Sequence, residues 1–415
     1  MNGKSYALFA DVKTLSAAIV KHPSRNLALA KFYDASVDGT YGSSPIPAAF
    51  SGSLDGLGHT IANATIAANN ASGPVGLFAT IAKNGRVRNL TLQNFQVSVV
   101  TLAANIFVGA LAGQNDGHIA RFSIAGGVVS GPVPVKRKYY QTIPGGIVGK
   151  NTGVIIQASV DGATISGTPD VGGLVGSNSG TITQSHFSGT VEGGLWSWAG
   201  GIANSNDGTI SLSYATGTVE VDGGNGHLGG AGDEGSGGIA AFNHGSIDRS
   251  FSLASIDGGA STGGQTHQGN SFAGGIVAQN YGAIANSYAI GSIASWDPFG
   301  FGVYVGGLIG ADNRRQEGNA SSASTYAVNT FNCVDCNPDG FAGYGGGTYV
   351  SSYWDQDVSG VGTACGVGTT CPGVSGLSDT QLKSSLPSGF DPAVWGQSAS
   401  INNGYPYLLA NPPPQ

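Results

Sequence analysis

The stretch GGLVGSNSGTITQSHFSGTV at 172–191 decides the fold, because its opening phrase recurs along the chain. The phrase is Gly-Gly, then Ile or Leu, three variable residues, Asn, one variable residue and Gly. Its other copies are VGALAGQNDG at 108–117, GGIVGKNTG at 145–153, GGIANSNDG at 200–208, GGIAAFNHG at 237–245, GGIVAQNYG at 274–282 and the decayed GGLIGADN at 306–313. Such recurrence indicates a repeat protein in which each unit stacks on the next.

Aligning the copies gives columns of identical residues. The asparagines are Asn115, Asn151, Asn178, Asn206, Asn243 and Asn280, and the glycines two places on are Gly117, Gly153, Gly180, Gly208, Gly245 and Gly282. Asn and Gly adopt positive φ readily, so N-x-G predicts one tight positive-φ corner per unit. Stacked corners would also let the Asn side chains form a hydrogen-bonded ladder. Isoleucine and serine columns downstream predict a narrow interior.

The spacing of the copies sets the size of the unit. Their first glycines fall at 109, 145, 172, 200, 237, 274 and 306, and the steps are 36, 27, 28, 37, 37 and 32 residues. The shortest step suits three short strands with their turns. We therefore predict an all-β fold, a right-handed parallel β-helix of about 7–9 coils. Both ends need caps, because the end coils otherwise expose open strand edges.

The sequence predicts three regions. Residues 1–74 form an N-terminal cap and the first coils, 75–330 the repeats with insertions, and 331–415 a C-terminal cap with two local cysteine pairs. A helix is expected in DVKTLSAAIVKH at 11–22. A second is expected in DTQLKSSL, with Ser378 as its N-cap.

Composition excludes several classes of function. The net charge is −7 and the only basic cluster is Lys136, Arg137 and Lys138, so nothing resembles a phosphate-binding stripe and no nucleic-acid partner is expected. No apolar run is long enough for a transmembrane segment, and no signal-peptide core is visible. A removed signal or a segment of a longer protein would explain the latter.

The four cysteines form two tight local pairs, Cys333 with Cys336 and Cys365 with Cys371. This spacing predicts two small-loop disulfides formed in an oxidising compartment. A zinc site made by both pairs and reduced, inert thiols remain alternatives. No metal site and no cofactor are assigned.

Most of the chain resembles the GLUG repeats of large bacterial surface proteins, particularly filamentous-haemagglutinin-like adhesins exported by two-partner secretion. The resemblance rests on FSGSLDGLGHTIANATI at 50–66, VGLFATIAKNGRVRNLTL at 75–92, the repeat units themselves and the closing SYWDQDVSG at 352–360. It implies a parallel β-helix, an extracellular location and an adhesive role, and it carries no catalytic motif. The cysteines depart from the family pattern.

The longer steps carry their extra residues before the next Gly-Gly, which places the insertions on one edge of the predicted helix. They are 131–144, 194–198, 222–236, 257–271 and 295–304. Aromatic residues concentrate there and are the predicted ligand-binding residues: Tyr139, Tyr140, Trp196, Trp198, Trp296, Phe299, Phe301 and Tyr304. Exposed rings suit stacking on sugars or anchoring a partner. Packing of the loops against the helix is the alternative.

Two groups of acidic residues are candidates for chemistry. Asp233 and Glu234 are adjacent carboxylates, with His227, His267 and Asp297 in neighbouring insertions, and would act as glycosidase acid and nucleophile or base if the chain were an enzyme. Four aspartates near the cysteines are candidate calcium ligands, although no EF-hand loop is present. These are Asp335, Asp339, Asp355 and Asp357.

The sequence therefore favours a secreted or cell-surface adhesin segment. It would bind glycans or surface proteins of a host or neighbouring cell through the inserted edge, and enzymatic activity is not assigned. A carbohydrate-active β-helix enzyme (glycoside hydrolase or polysaccharide lyase) and a purely structural filament or stalk segment are the alternatives.

Overall fold

A computed structural model describes residues 5–100, 105–132, 141–221, 233–260, 262–264, 267–296, 302–314, 318–366 and 369–414. The chain divides into two compact units by its internal contacts. The first comprises Met1–Gly194 with Ile202–Asn204, and the second comprises Leu195–Gly201 with Ser205–Gln415. Each unit is described by itself.

The first unit consists of three sets of parallel strands. The long-sheet set is Ala7–Phe9, Asn26–Leu29, Tyr33–Asp34, Thr40–Tyr41, Ser53–Asp55, Thr60–Ala62, Thr65–Ala68, Arg86–Val99, His118–Ser130, Val154–Gly167, Thr181–Thr183 and His186–Gly193. The second set is Ile106–Gly109, Thr142–Gly145 and Asp170–Gly172. The third set is Phe78–Ile81, Ala112–Asn115, Val148–Asn151 and Val175–Asn178, and the strand Ala203–Asn206 starts in this unit.

The second unit repeats this organisation. Its long-sheet set is Thr209–Ser211, Tyr214–Val221, Ser246–Asp248, Phe251–Ser252, Ser255–Ala260, Ala283–Ala285, Tyr288–Trp296, Ser321–Val334, Thr348–Asp355 and Val374–Leu377. The second set is Trp198–Gly200, Glu234–Gly237, Ser271–Gly274 and Val303–Gly306, and the third is Ala240–Asn243, Val277–Asn280, Ile309–Asp312 and Ala342–Tyr344. Two antiparallel pairs are Thr262–Gly264 with His267–Gly269 and Trp395–Gly396 with Tyr407–Leu408.

The asparagine column stacks in register within each unit. Asn115 pairs with Asn151 and Asn151 with Asn178, and each Nδ2 donates to the next Oδ1, at 2.7 and 2.8 Å. The second unit has the same ladder from Asn206 through Asn243 and Asn280 to Asp312. The prediction of an all-β chain with parallel strands in a solenoid-like arrangement is confirmed.

The predicted positive-φ corner at N-x-G is wrong. None of the six asparagines or six glycines of these columns has positive φ. The positive-φ corner lies a few residues downstream and holds ordinary side chains, such as Gln157, Leu212 and Arg249 at 54°, 49° and 46°. Glycine is required at N-x-G for space, because a Cβ on Gly153 would lie 2.1 Å from the carbonyl oxygen of Gly117 in the adjacent coil.

Both predicted helices are present. The N-terminal one, Val12–Lys21, begins at Asp11, whose side chain accepts from the Thr14 amide. The C-terminal one, Asp379–Ser384, begins at Ser378 with a capping box. A further short helix is Gln356–Ser359, and 3-10 turns are Ala35–Asp38 and Asn402–Gly404.

The C-terminal segment lies along the long sheet of the second unit. It covers a row of rings, Phe251, Tyr288 and Tyr326, which stack at 4.9 and 5.0 Å. Trp395 packs against Tyr288 and Tyr326 with ring centroids 6.0 and 5.8 Å away. Asn411 donates to the carbonyl of Arg249 at 3.1 Å, so the end of the chain reaches strands far back in sequence.

Two disulfides are present, as the cysteine spacing predicted. Cys333 is joined to Cys336 and Cys365 to Cys371, with Cα atoms 5.5 and 6.1 Å apart. The second disulfide packs on Gly345, where a Cβ would lie 2.6 Å from the Cys371 sulfur. The zinc and free-thiol alternatives are therefore wrong, because all four thiols are oxidised.

Candidate functional site

Every insertion occupies the same connection in the fold. Each joins the end of a long-sheet strand to the start of a second-set strand, as 222–233 joins Tyr214–Val221 to Glu234–Gly237. In the second unit, 261–270 and 297–302 make the equivalent connection. The residues that begin each second-set strand are thus the ones nearest to the inserted segments.

An aromatic cluster is built on these second-set strands and on the third-set strands Ala240–Asn243 and Ala342–Tyr344. We define it as Trp198, Phe242, Phe272, Tyr304 and Tyr344. Phe272 is fully buried, with Trp198 stacked on it at 5.4 Å and Tyr304 at 5.2 Å between ring centroids. Trp198 also contacts Phe242 at 4.3 Å, and Tyr344 meets Tyr304 edge-on at 6.1 Å. All members except Phe272 are half-buried.

Strand register explains why these rings meet. Trp198 pairs with Gly235, Gly235 with Phe272, and Phe272 with Tyr304. Gly235 supplies no side chain, so the indole of Trp198 spans the gap: a Cβ on Gly235 would lie 3.0 Å from Trp198 Cζ3 and 2.9 Å from Phe272 Cβ. Aromatic pairs in this offset arrangement stabilise each other beyond the area that they bury.

The structure brings together only part of the predicted ligand-binding set. Trp198 and Tyr304 are in the cluster, whereas Trp296 stands apart with 45% of its surface exposed, next to the exposed Val334. Trp196 is half-buried, and its backbone N–H donates to Glu234 Oε2 at 3.3 Å. The other predicted aromatics lie outside the described residues: Tyr139, Tyr140, Phe299 and Phe301.

Asp233 and Glu234 do not share an environment. Glu234 begins a strand and is fully buried, on the face that also carries Ser197 and Ser271. The side chain of Asp233 is 24% exposed, and its Oδ1 accepts from the backbone and side-chain nitrogens of Asn270 at 3.0 and 2.8 Å. Among the described residues, Glu234 accepts from the backbone N–H of Trp196, whereas Asp233 accepts from Asn270. His227, Asp297 and the side chain of His267 lie outside the described residues.

Sequence reasoning missed Arg314, which joins the cluster to Asp233. Its guanidinium carbon lies 4.9 Å from the ring centroid of Tyr304 and 5.3 Å from that of Phe272. Its Nη1 is 3.8 Å from Asp233 Oδ2. Phe242, Phe272 and Tyr344 were missed as well. Aligning the residue before each repeat asparagine would have singled out Phe242, whereas the column of Phe242, Gln279, Ala311 and Tyr344 is seen only in the strand register.

Three of the four aspartates near the cysteines have hydrogen-bond partners of their own, and Asp357 accepts from the backbone N–H of Asp379 at 3.0 Å. Asp339 accepts from Thr363 Oγ1 at 2.8 Å, and burial raises its pKa to about 6. Asp355 caps a helix by accepting from the amides of Asp357 and Val358, and burial also raises its pKa. Asp335 is exposed. Across the described ranges, no group of three or more His, Cys, Asp or Glu residues is arranged to hold a metal ion.

Comparisons with known proteins find one family motif and a few distant likenesses. The GLUG motif matches residues 167–192. Halomucin of Haloquadratum walsbyi (strain DSM 16790 / HBSQ001) is 36% identical over 80 residues, which are 19% of this chain and 1% of that protein. The chain therefore corresponds to a very small part of that relative's length. No described helix is long and apolar enough to cross a membrane.

Two solved structures are remotely similar. One is a Bacteroides ovatus protein assigned as an immunoglobulin A1 protease, with 15% identity, a TM-score of 0.37, and coverage of 93% of this chain and 86% of that chain. The other is an IgA1 protease with 17% identity, a TM-score of 0.38, and coverage of 77% of this chain and 21% of that one. At this level of similarity, neither carries an argument about activity.

Proposed function

We propose that this chain is a segment of a secreted surface protein of the adhesin type that binds glycans through the aromatic cluster. Its strands would wind as a right-handed parallel β-helix of about 7–9 coils, the range that the repeat spacing allows. The GLUG motif at 167–192 and the two disulfides support an extracellular role, since disulfides persist in oxidising compartments.

The aromatic cluster is the observation that carries the proposal. Trp198 and Tyr304, which stand at the start of strands that follow insertions in the chain, stack on the buried Phe272, and Phe242 and Tyr344 contact these two rings. Aromatic surfaces of this kind bind the apolar faces of sugar rings and anchor partners. In the first unit the residues aligned with Phe242 are Gln114, Lys150 and Ser177, and the Nζ of Lys150 lies over the ring of Phe107 at 5.4 Å. The proposed binding surface is therefore confined to the second unit.

A glycan array probed with the purified chain tests the proposal. We expect binding to at least one class of glycan, at least a tenfold loss of affinity for Trp198→Ala, and no loss for the matched control Phe107→Ala. Circular dichroism checks that both variants are folded. Absence of binding to any glycan, or equal losses in the two variants, would overturn the proposal. New reducing ends or unsaturated products from the bound polysaccharide would instead favour an enzyme.

A further inference from the structure

Arg314 lies over aromatic rings, and no hydrogen bond to another described residue holds its guanidinium. Its guanidinium lies over Tyr304 and Phe272 at 4.9 and 5.3 Å, and its side chain keeps 26% of its surface exposed. A cation over two ring faces is favoured electrostatically, and the rings restrict its rotamers. Arg314 is therefore both oriented and partly accessible to solvent.

The donors of this guanidinium are largely unused. A guanidinium carries five N–H donors. Its one ion pair, to Asp233 at 3.8 Å, is longer than a hydrogen bond, and within the described ranges Arg314 donates no hydrogen bond. Asp233 is itself engaged by Asn270 through two hydrogen bonds to Oδ1. An oriented fork of free donors next to aromatic rings is what a planar carboxylate needs for bidentate binding.

We infer that the aromatic cluster binds a glycan bearing carboxylate groups, of the uronic-acid class, and that Arg314 recognises the carboxylate. This inference rests on the proposed function and adds the charge of the ligand. The ligand carboxylate accepts two N–H donors from Arg314, while the sugar ring packs on the neighbouring half-buried rings. Arginine stays protonated at every physiological pH, so binding does not require a change in its charge.

Asp233 opposes this ligand. Its carboxylate lies 3.8 Å from the guanidinium of Arg314. A ligand carboxylate bound to Arg314 is therefore attracted by the guanidinium and repelled by Asp233. Replacing Asp233 by asparagine keeps an oxygen that can accept from Asn270 and removes the competing charge. Asp233→Asn is therefore expected to bind the acidic glycan more tightly, whereas a catalytic or purely structural Asp233 would give no gain.

The test is isothermal titration of the full chain with galacturonate, glucuronate, mannuronate and guluronate oligosaccharides, each as the free acid and as its methyl ester. We expect at least one acid to bind about tenfold or more tightly than its ester, as charge-assisted hydrogen bonds imply. Arg314→Gln should abolish this preference and Asp233→Asn should increase it. Arg249→Gln, which removes an exposed arginine paired with Asp248 at 2.7 Å, should leave it intact.

The outcomes separate this inference from the proposed function. Equal binding of acid and ester, with both lost in Trp198→Ala, would overturn the inference and leave the proposed function standing. Binding of neutral glycans alone would do the same. No binding of any glycan would overturn both. If Arg314→Gln fails to fold, Arg314→Lys keeps the charge without the planar fork, and an undiminished acid preference in that variant would count against bidentate recognition.

Discussion

Replacing Asp312 with asparagine is expected to stabilise the second unit at neutral pH but not at acidic pH. Asp312 stands where the repeat otherwise has asparagine, and it ends the ladder by accepting from Asn280 Nδ2 at 2.9 Å. Its side chain is fully buried. Burial raises the pKa of Asp312 to about 6, and favourable interactions with Tyr349 and Asn280 only partly offset this effect.

The size of the effect follows from this pKa. A rise from 3.8 to about 6 corresponds to roughly two pKa units, or about 3 kcal/mol at about 1.4 kcal/mol per unit. The folded protein holds this proton more tightly than the unfolded chain does, so the stability is present below pH 4 and is lost as the pH rises through 6. Asparagine keeps the acceptor for Asn280 but alters the contact with Tyr349, which costs about 1 kcal/mol. The expected net gain above pH 6 is about 2 kcal/mol.

Urea unfolding from pH 4 to pH 8, followed by tryptophan fluorescence, measures this gain. The difference between Asp312→Asn and the parent should grow with pH and level off above pH 7. Two control variants test whether the effect is specific to a buried carboxylate. Asp335→Asn removes an exposed aspartate and should change little, whereas Asn280→Asp places a new carboxylate inside the ladder and should destabilise most at high pH. A loss of stability at pH 8, or an equal gain at pH 4, would refute the reasoning.

Three further variants test the packing. In Gly235→Val, the added Cβ would lie 2.5 Å from the Phe272 carbonyl oxygen. The valine should therefore displace Trp198, lower the free energy of unfolding and shift the tryptophan fluorescence to longer wavelength. An unchanged fluorescence spectrum would contradict the account of the cluster. Trp395→Ala should lower the free energy of unfolding by about 3–5 kcal/mol and make the C-terminal segment sensitive to proteases. Protease resistance equal to that of the parent would argue against a packing role for Trp395. Asn243→Ala should cost about 2 kcal/mol in urea unfolding, because it leaves buried ladder partners unpaired, and a neutral result would show that the ladder adds nothing.

Strand register was predictable because it depends on one repeated phrase, although the interval between its copies varies. When the same phrase recurs, like residues meet one coil apart, and the Asn115, Asn151 and Asn178 ladder follows directly. The wrong part was the reason for the glycines. Gly153 is needed because the backbone of the adjacent coil leaves no room for a Cβ, and closeness between coils does not show in a residue's own conformational preference.

The candidate site was only partly predictable. The insertions drew attention to Trp198 and Tyr304, but their stacking partner Phe272 lies inside a repeat strand and looks like an ordinary core residue in the sequence. Arg314 is far from Asp233 in the chain, so only the fold places them together. The difference in burial between Glu234 and Asp233 arises because a strand begins at Glu234, and the sequence did not show where that strand begins.

The sequence by itself determined the parallel stacking of repeated strands, the two helices and both cysteine pairs. The stacking follows from a repeated phrase, and the helices and cysteine pairs follow from residues that are close in the chain. The row of rings under the C-terminal segment shows what the sequence did not determine. At the same place in the repeat, the first unit has the polar residues Thr91, Ser123, Ser159 and His186. The second unit has aromatic residues there. That switch indicates a cover, but only the tertiary structure shows the C-terminal segment supplying it. Where a distant segment returns depends on which buried surfaces fit together, and no repeated interval encodes that choice.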